Sequence, residues 1–129
     1  MTQRILIADD EAHIRVLMEQ TLEDLEDEGV ELLIANNGAE ALTIIQAEMP
    51  DLVFLDVMMP KMNGFEVCQI IKRDPDLPAT YIIILTAKGQ EFDVQKGKEV
   101  GADLYMTKPF DPDEILAKAR SVLALATTY

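Results

Sequence analysis

Asp9, Asp10, Asp56, Thr86 and Lys108 each stand at or just beyond the end of a short apolar run. Singly, each has a plain structural reading. An Asp at a strand-to-helix junction suits an N-cap, an Asp after a buried run solvates a loop, and a lone Thr or Lys needs no special role. Together, three carboxylates, a hydroxyl and an amine would meet in one cleft if the runs are neighbouring strands. Two like charges about 4 Å apart repel by about 4 kcal/mol at an effective dielectric of 20. Three gathered acids therefore call for a cation or a retained proton. Lys108 supplies one positive charge. A hard divalent ion such as Mg²⁺, which prefers oxygen ligands and keeps several waters, would supply the rest. In such a site a carboxylate can attack phosphorus and become an aspartyl phosphate. Metal and lysine would neutralise the incoming charge, and Thr86 could donate to a phosphate oxygen. Asp56, closing the run LVFL, is the nucleophile this arrangement selects.

The elements that must position these groups are legible as alternating patterns. Apolar runs fall at residues 5–8, 32–35, 52–55, 81–85 and 102–106. Short runs without strict alternation suit strands buried on both faces. Helical spacing fills the gaps: Ile14, Leu17, Met18, Thr21, Leu22 and Leu25 share one face, as do Ile115, Leu116, Ala119, Val122, Leu123 and Ala126. Asn37 before Glu40, Asn63 before Glu66 and Asp111-Pro112 before Glu114 are helix-start signals. The segment near 91–100 is the poorest helix. It has Phe92, Val94 and Val100 as apolar contacts and an internal Gly97, which costs about 1 kcal/mol against alanine. Strand then helix, five times over, implies a flavodoxin-like (βα)5 sandwich. Its parallel sheet would run in the order 2-1-3-4-5, with ligands beyond the carboxyl ends of the strands.

Composition narrows the classes of function. A length of 129 residues, 49% hydrophobic and 27% charged, fits one globular domain. A net charge of -13 opposes direct contact with nucleic acid or anionic lipid. A single cysteine, Cys68, forms no internal disulfide and suits a reducing, cytoplasmic setting. Neither a signal peptide nor a membrane span is expected from the hydropathy pattern. Residues 1–129 are read as one domain, with no output domain within them.

Four stretches, ADDE (8–11), LDVMMPKMNG (55–64), LTA (85–87) and GADLYMTKPF (101–110), resemble the receiver domain of bacterial two-component response regulators. The likeness covers nearly the whole chain. It implies that Asp56 accepts a phosphoryl group from a histidine kinase's phosphohistidine, a phosphotransfer protein or a small phosphodonor. It implies that Asp10, Asp56 and the backbone carbonyl of Met58 bind Mg²⁺, with Asp9 acting largely through water. Lys108 would pair with the phosphoryl group and join Pro109 by a cis peptide. Thr86 and Tyr105 would be the switch pair, altering the surface of the 91–100 segment, the fifth strand and the last helix. A downstream protein or an output domain would read that surface, as a monomer or a phosphorylation-linked dimer.

Two other classes share parts of this pattern. An aspartyl-phosphate phosphatase would want a second acid two residues after the nucleophile, where Met58 stands. A flavin module would want a hydroxyl- and glycine-rich first loop, where Asp9-Asp10-Glu11 would repel the phosphate. Met58 and Lys88 flank the expected phosphate, and Met58 has no amide or acid to orient water. His13 is expected to face solvent and Cys68 to pack. The acidic run at 23–28 should be a solvated helix end, and the tail from Ala124 is expected to fray.

Overall fold

The computed structural model describes residues 2–77, 79–87, 96, 98–108 and 111–127. Lys88, Phe92, Val94, Gly97 and the Lys108–Pro109 peptide lie outside them, as does the side chain of Ala126. Five strands, β1 (Arg4–Ala8), β2 (Glu31–Ala35), β3 (Leu52–Asp56), β4 (Tyr81–Ala87) and β5 (Leu104–Lys108), form one sheet. Their order is β2-β1-β3-β4-β5 and every pairing is parallel. The helices are α1 (Ala12–Thr21), α2 (Glu23–Asp27), α3 (Gly38–Glu48), α4 (Gly64–Arg73) and α5 (Pro112–Thr127). Residues 98–100 are also helical, with Val100 buried.

Side chains alternate across a sheet, and this alternation splits the core in two. Leu6, Ala8, Val53, Leu55, Ile82 and Ile84 pack with Ala41 and Ile45 of α3 and Val67, Cys68 and Ile71 of α4. Ile5, Ile7, Leu52, Phe54, Ile83 and Leu85 face Met18, Leu22, Leu25, Ile115, Ala119 and Val122. The expected burial of strands on both faces is realised most fully in β3, where all five residues are buried. The caps also form as their residue types dictate. The Asn37 side chain accepts from the Glu40 amide, and Asn63 and Glu66 make a reciprocal capping box.

Several boundaries differ from the sequence reading. The fifth strand begins at Leu104, not residue 102, and continues through Lys108. Gly101, at φ +89, turns the chain, and the Asp103 amide bonds the Ile82 carbonyl just before the ladder starts. Thr86 and Lys108 are therefore inside strands rather than beyond them. The first helix breaks at Leu22, where the Thr21 hydroxyl bonds the Leu17 carbonyl, a back-bond that bends helices. Leu17, expected on the buried face, is exposed. The last helix continues to Thr127 instead of fraying from Ala124, and Gln3 donates to the Leu123 carbonyl near its end. No helix among the described residues is long and apolar enough to cross a membrane.

Candidate functional site

The register fixes what meets at the carboxyl end of the sheet. Ala8 lies opposite Leu55, Asp56 opposite Leu85, and Ala87 opposite Lys108. Asp56 and Lys108 close β3 and β5, and Asp9 follows β1 directly. Alternation from Phe54, Met106 and Ile7 puts all three on the face packed by α1 and α5. The Lys108 ammonium donates to Asp9 Oδ2 at 2.9 Å and to Asp56 Oδ1 at 3.0 Å, tying the end of β5 to the ends of β1 and β3 across the intervening β4. It also lies 3.8 Å from Glu11 Oε1.

Asp9 is fully buried and holds the loop as well as the lysine. Its Oδ1 accepts from the Glu11 amide at 2.9 Å, and its carbonyl accepts from the Arg15 guanidinium at 2.7 Å. Asp10 is exposed and is not the helix cap; the cap residue of α1 is Glu11, without a side-chain cap bond. The Asp9 bond to the Glu11 amide secures this turn, which leaves the Asp10 carboxylate uncommitted to capping. Carboxylate oxygens from Asp9, Asp10, Glu11 and Asp56 all lie within 4.8 Å of one another. This oxygen-only set, two acids buried and two at the solvent side, suits a hard divalent cation. From the sequence, Glu11 was not expected among the candidate ligands and Arg15 had no assigned role. Only the position of Glu11 beside the acid pair hinted at its place there.

The electrostatics reflect this crowding. Burial pushes the Asp56 carboxyl up, and the negative charge of Asp9 pushes it further. Lys108 offsets only part of this, and the result is about 6. Burial pulls the Lys108 ammonium down, but its hydrogen bond to Asp9 and the charge of Asp56 outweigh this, so it is held above the usual lysine value. The site carries more negative than positive charge and gains by accepting a cation or a proton.

Thr86 and Tyr105 lie on the opposite sheet face, that of Ile84 and Ile82. The Thr86 hydroxyl is buried and donates to the Met106 carbonyl at 3.4 Å, a long bond. Tyr105 is half-buried and borders a groove of about 390 Å³ with Leu104, Met106, Glu114, Ala117 and Lys118.

The loop after Asp56 is pinned by its backbone. The Val57 carbonyl accepts from the Met59 and Gly64 amides, and Met62 donates to the Pro60 carbonyl. Glycine is required at two contacts: a Cβ at Gly64 would strike the Asp56 carbonyl, and one at Gly38 the Met62 carbonyl. Met58 projects from this loop 76% exposed, whereas Met59 is buried. His13 faces solvent beside Glu11. Cys68 is buried, and burial pushes its thiol up to about 11. The acidic run is exposed apart from Leu25, and Glu28 pairs with Arg120.

The sequence profile of the response regulator receiver domain matches residues 5–120. The chain belongs to this family. It is 48% identical over 124 residues to the "Probable transcriptional regulator ycf27" of Porphyra purpurea, covering 96% of this chain and 49% of that protein. It is 43% identical over 123 residues to the alkaline phosphatase synthesis transcriptional regulatory protein PhoP of Bacillus subtilis, covering 95% and 49%. The chemotaxis response regulator CheY4 of Vibrio cholerae superposes with a TM-score of 0.82 at 34% identity, covering 95% of this chain and 99% of that one. The chain thus spans about half the length of the curated relatives it matches and nearly all of a solved receiver. As a receiver it has the fold of a phosphorylation-activated signalling switch.

Proposed function

We propose that Asp56 is the phosphoacceptor of this receiver. The observation that carries the reading is the Lys108 bridge, one ammonium bonded to both Asp56 and Asp9 under a cluster of four acids. Asp56 attacks phosphorus as the P–N bond of a phosphohistidine, or the P–O bond of acetyl phosphate, breaks. The product is an acyl phosphate on Asp56. Lys108 shifts from its carboxylate partners to the phosphoryl oxygens. Asp10, Asp56 and the Met58 carbonyl would hold Mg²⁺, with Asp9 acting largely through water, and the ion would neutralise phosphoryl charge. The chain is a phosphoacceptor rather than a turnover enzyme: Met58 supplies no acid or base at the position where a phosphatase of this chemistry needs one.

Phosphorylation adds charge and strong acceptors. The Thr86 hydroxyl, held by one long bond, turns toward them and gives up space to Tyr105. The groove between β5 and α5 then changes shape. The donor is a sensor histidine kinase or a phosphotransfer protein, and the reader is a protein target or an output domain. With a net charge of -13, this portion is not the DNA contact, and a cytoplasmic location fits its lone reduced cysteine. Incubation with acetyl phosphate and Mg²⁺, intact mass and borohydride trapping tests the reading. One phosphoryl group is expected, at Asp56. Equal labelling of Asp56→Asn would overturn it.

A further inference from the structure

Met58 is the most exposed large hydrophobic side chain among the described residues, at 76%. Of the other described methionines, Met49 is 49% exposed, Met18 and Met59 are buried, and Met62 and Met106 are half-buried. A thioether is oxidised where solvent reaches it, so Met58 is the one most open to attack. It is exposed without being loosely tethered. The hydrogen bonds at Val57 and Pro60 fix its loop, and Gly64 lets that loop rest against the Asp56 carbonyl. Met58 is two residues along the chain from Asp56, so their Cα atoms are at most about 7 Å apart. Among the described methionines, the most reachable sulfur is therefore carried by a fixed loop that begins at Asp56 itself.

We propose that Met58 is an oxidation site through which hydroperoxides shorten the life of the phosphoryl group on Asp56. The inference rests on Asp56 being the acceptor. The sulfur lone pair attacks a peroxide oxygen and the O–O bond breaks. That oxygen stays on sulfur, and the remainder leaves as water or an alcohol after taking up a proton. Sulfur is oxidised by two electrons and the peroxide is reduced. The thioether cannot orient water to any useful degree. The sulfoxide oxygen is a strong acceptor, and a water donating one O–H to it keeps a lone pair free to face phosphorus. Reductases that act on methionine sulfoxide would reverse the change.

The test uses the full chain and has two stages. Unoxidised protein is first labelled with acetyl phosphate and Mg²⁺; failure at this stage counts against the acceptor assignment itself. Labelled protein is then compared before and after hydrogen peroxide, with peptide mass mapping and the phosphoryl half-life as readouts. Oxygen is expected at Met58 ahead of Met49, with a half-life shortened about three- to tenfold, the effect of one modest hydrogen bond. Methionine sulfoxide reductase should restore it. Met58→Leu should have the same half-life before and after peroxide, and Met49→Leu should respond as the parent does. Oxidised Met58 with an unchanged half-life, or equal shortening in Met58→Leu, would overturn the proposal.

Discussion

Two lysines, Lys72 and Lys108, anchor charge clusters at the two ends of β4 and β5, and their surroundings differ in one respect. At the amino end, the Lys72 ammonium donates to Asp103 Oδ2 at 2.6 Å and to the Thr80 carbonyl at 2.7 Å. The same Asp103 oxygen accepts from the Ile82 amide at 2.8 Å. One cation meets one anion, and the neighbouring backbone groups complete the set. At the carboxyl end, Lys108 faces Asp9, Asp56 and Glu11, with Asp10 close by. Both ammonium groups lie at strand ends, Lys72 reaching there from α4, yet only the second cluster is left short of positive charge. The balanced cluster joins α4 to the sheet. The unbalanced one is costly until something cationic or electrophilic arrives, which is the property a phosphoryl-accepting site needs.

The sharpest way to break this contrast is to neutralise one charged group at each end. Asp56 has its carboxyl raised from 3.8 to about 6, so its ionised form opposes folding. Below about pH 4 it is protonated in both folded and unfolded chains and has no effect. As pH rises through about 6, the unfolded chain binds fewer protons than the folded one, and stability falls. Asp56→Asn removes this penalty. Without divalent cations it should be more stable than the parent by up to about 3 kcal/mol at pH 8, with the gap closing toward pH 4. Urea melts at several pH values measure this directly. A less stable Asp56→Asn at pH 8 would mean that the carboxylate is a structural asset and that the two clusters are alike.

Cation binding should act on one end only. Mg²⁺ at about 100 times its dissociation constant would stabilise the parent by about 2.7 kcal/mol. Asp56→Asn should gain less, because one oxygen ligand with its charge is gone. Lys72→Met should gain as much as the parent. Thermal melts with and without Mg²⁺ give the comparison, and an equal gain in Asp56→Asn would place the ion elsewhere.

The balanced cluster predicts the opposite sign. Lys72→Met leaves Asp103 with only the Ile82 amide and should cost about 1 kcal/mol, the loss of a charge-assisted bond in a partly exposed pair. Acetyl phosphate labelling should persist in the folded fraction. Loss of labelling without loss of stability would show that the two ends communicate.

How much of this was legible beforehand follows the range of the forces involved. Strand runs, caps and the meeting of Asp9, Asp56 and Lys108 at one edge follow from local patterns and the rule that parallel sheets bind at their carboxyl ends. The break at Leu22 was not legible, because it reflects a single hydroxyl back-bond at Thr21. The start of β5 depends on a positive φ at Gly101 and a tertiary bond from Asp103, and the apolar run at 102–106 conceals both. Arg15 escaped notice because its partner is a backbone carbonyl, which no charge pattern reveals. The Lys72 cluster escaped for the same reason: half its partners are main-chain groups.

The smallest expected effect concerns Thr86, which separates a switch from a staple. Its hydroxyl is buried, and a buried hydrogen bond ordinarily contributes about 1 kcal/mol. At 3.4 Å, however, its bond to the Met106 carbonyl is well beyond the usual O–H···O range of about 2.5–3.0 Å. Valine preserves the branched shape and removes only the hydroxyl. Thr86→Val should therefore change the stability of the unphosphorylated chain by less than about 0.5 kcal/mol, while slowing its labelling by acetyl phosphate. A staple would behave in reverse, with a clear loss of stability and an unchanged labelling rate. The two measurements on one variant decide whether the hydroxyl is held for the resting fold or kept free for the phosphorylated one.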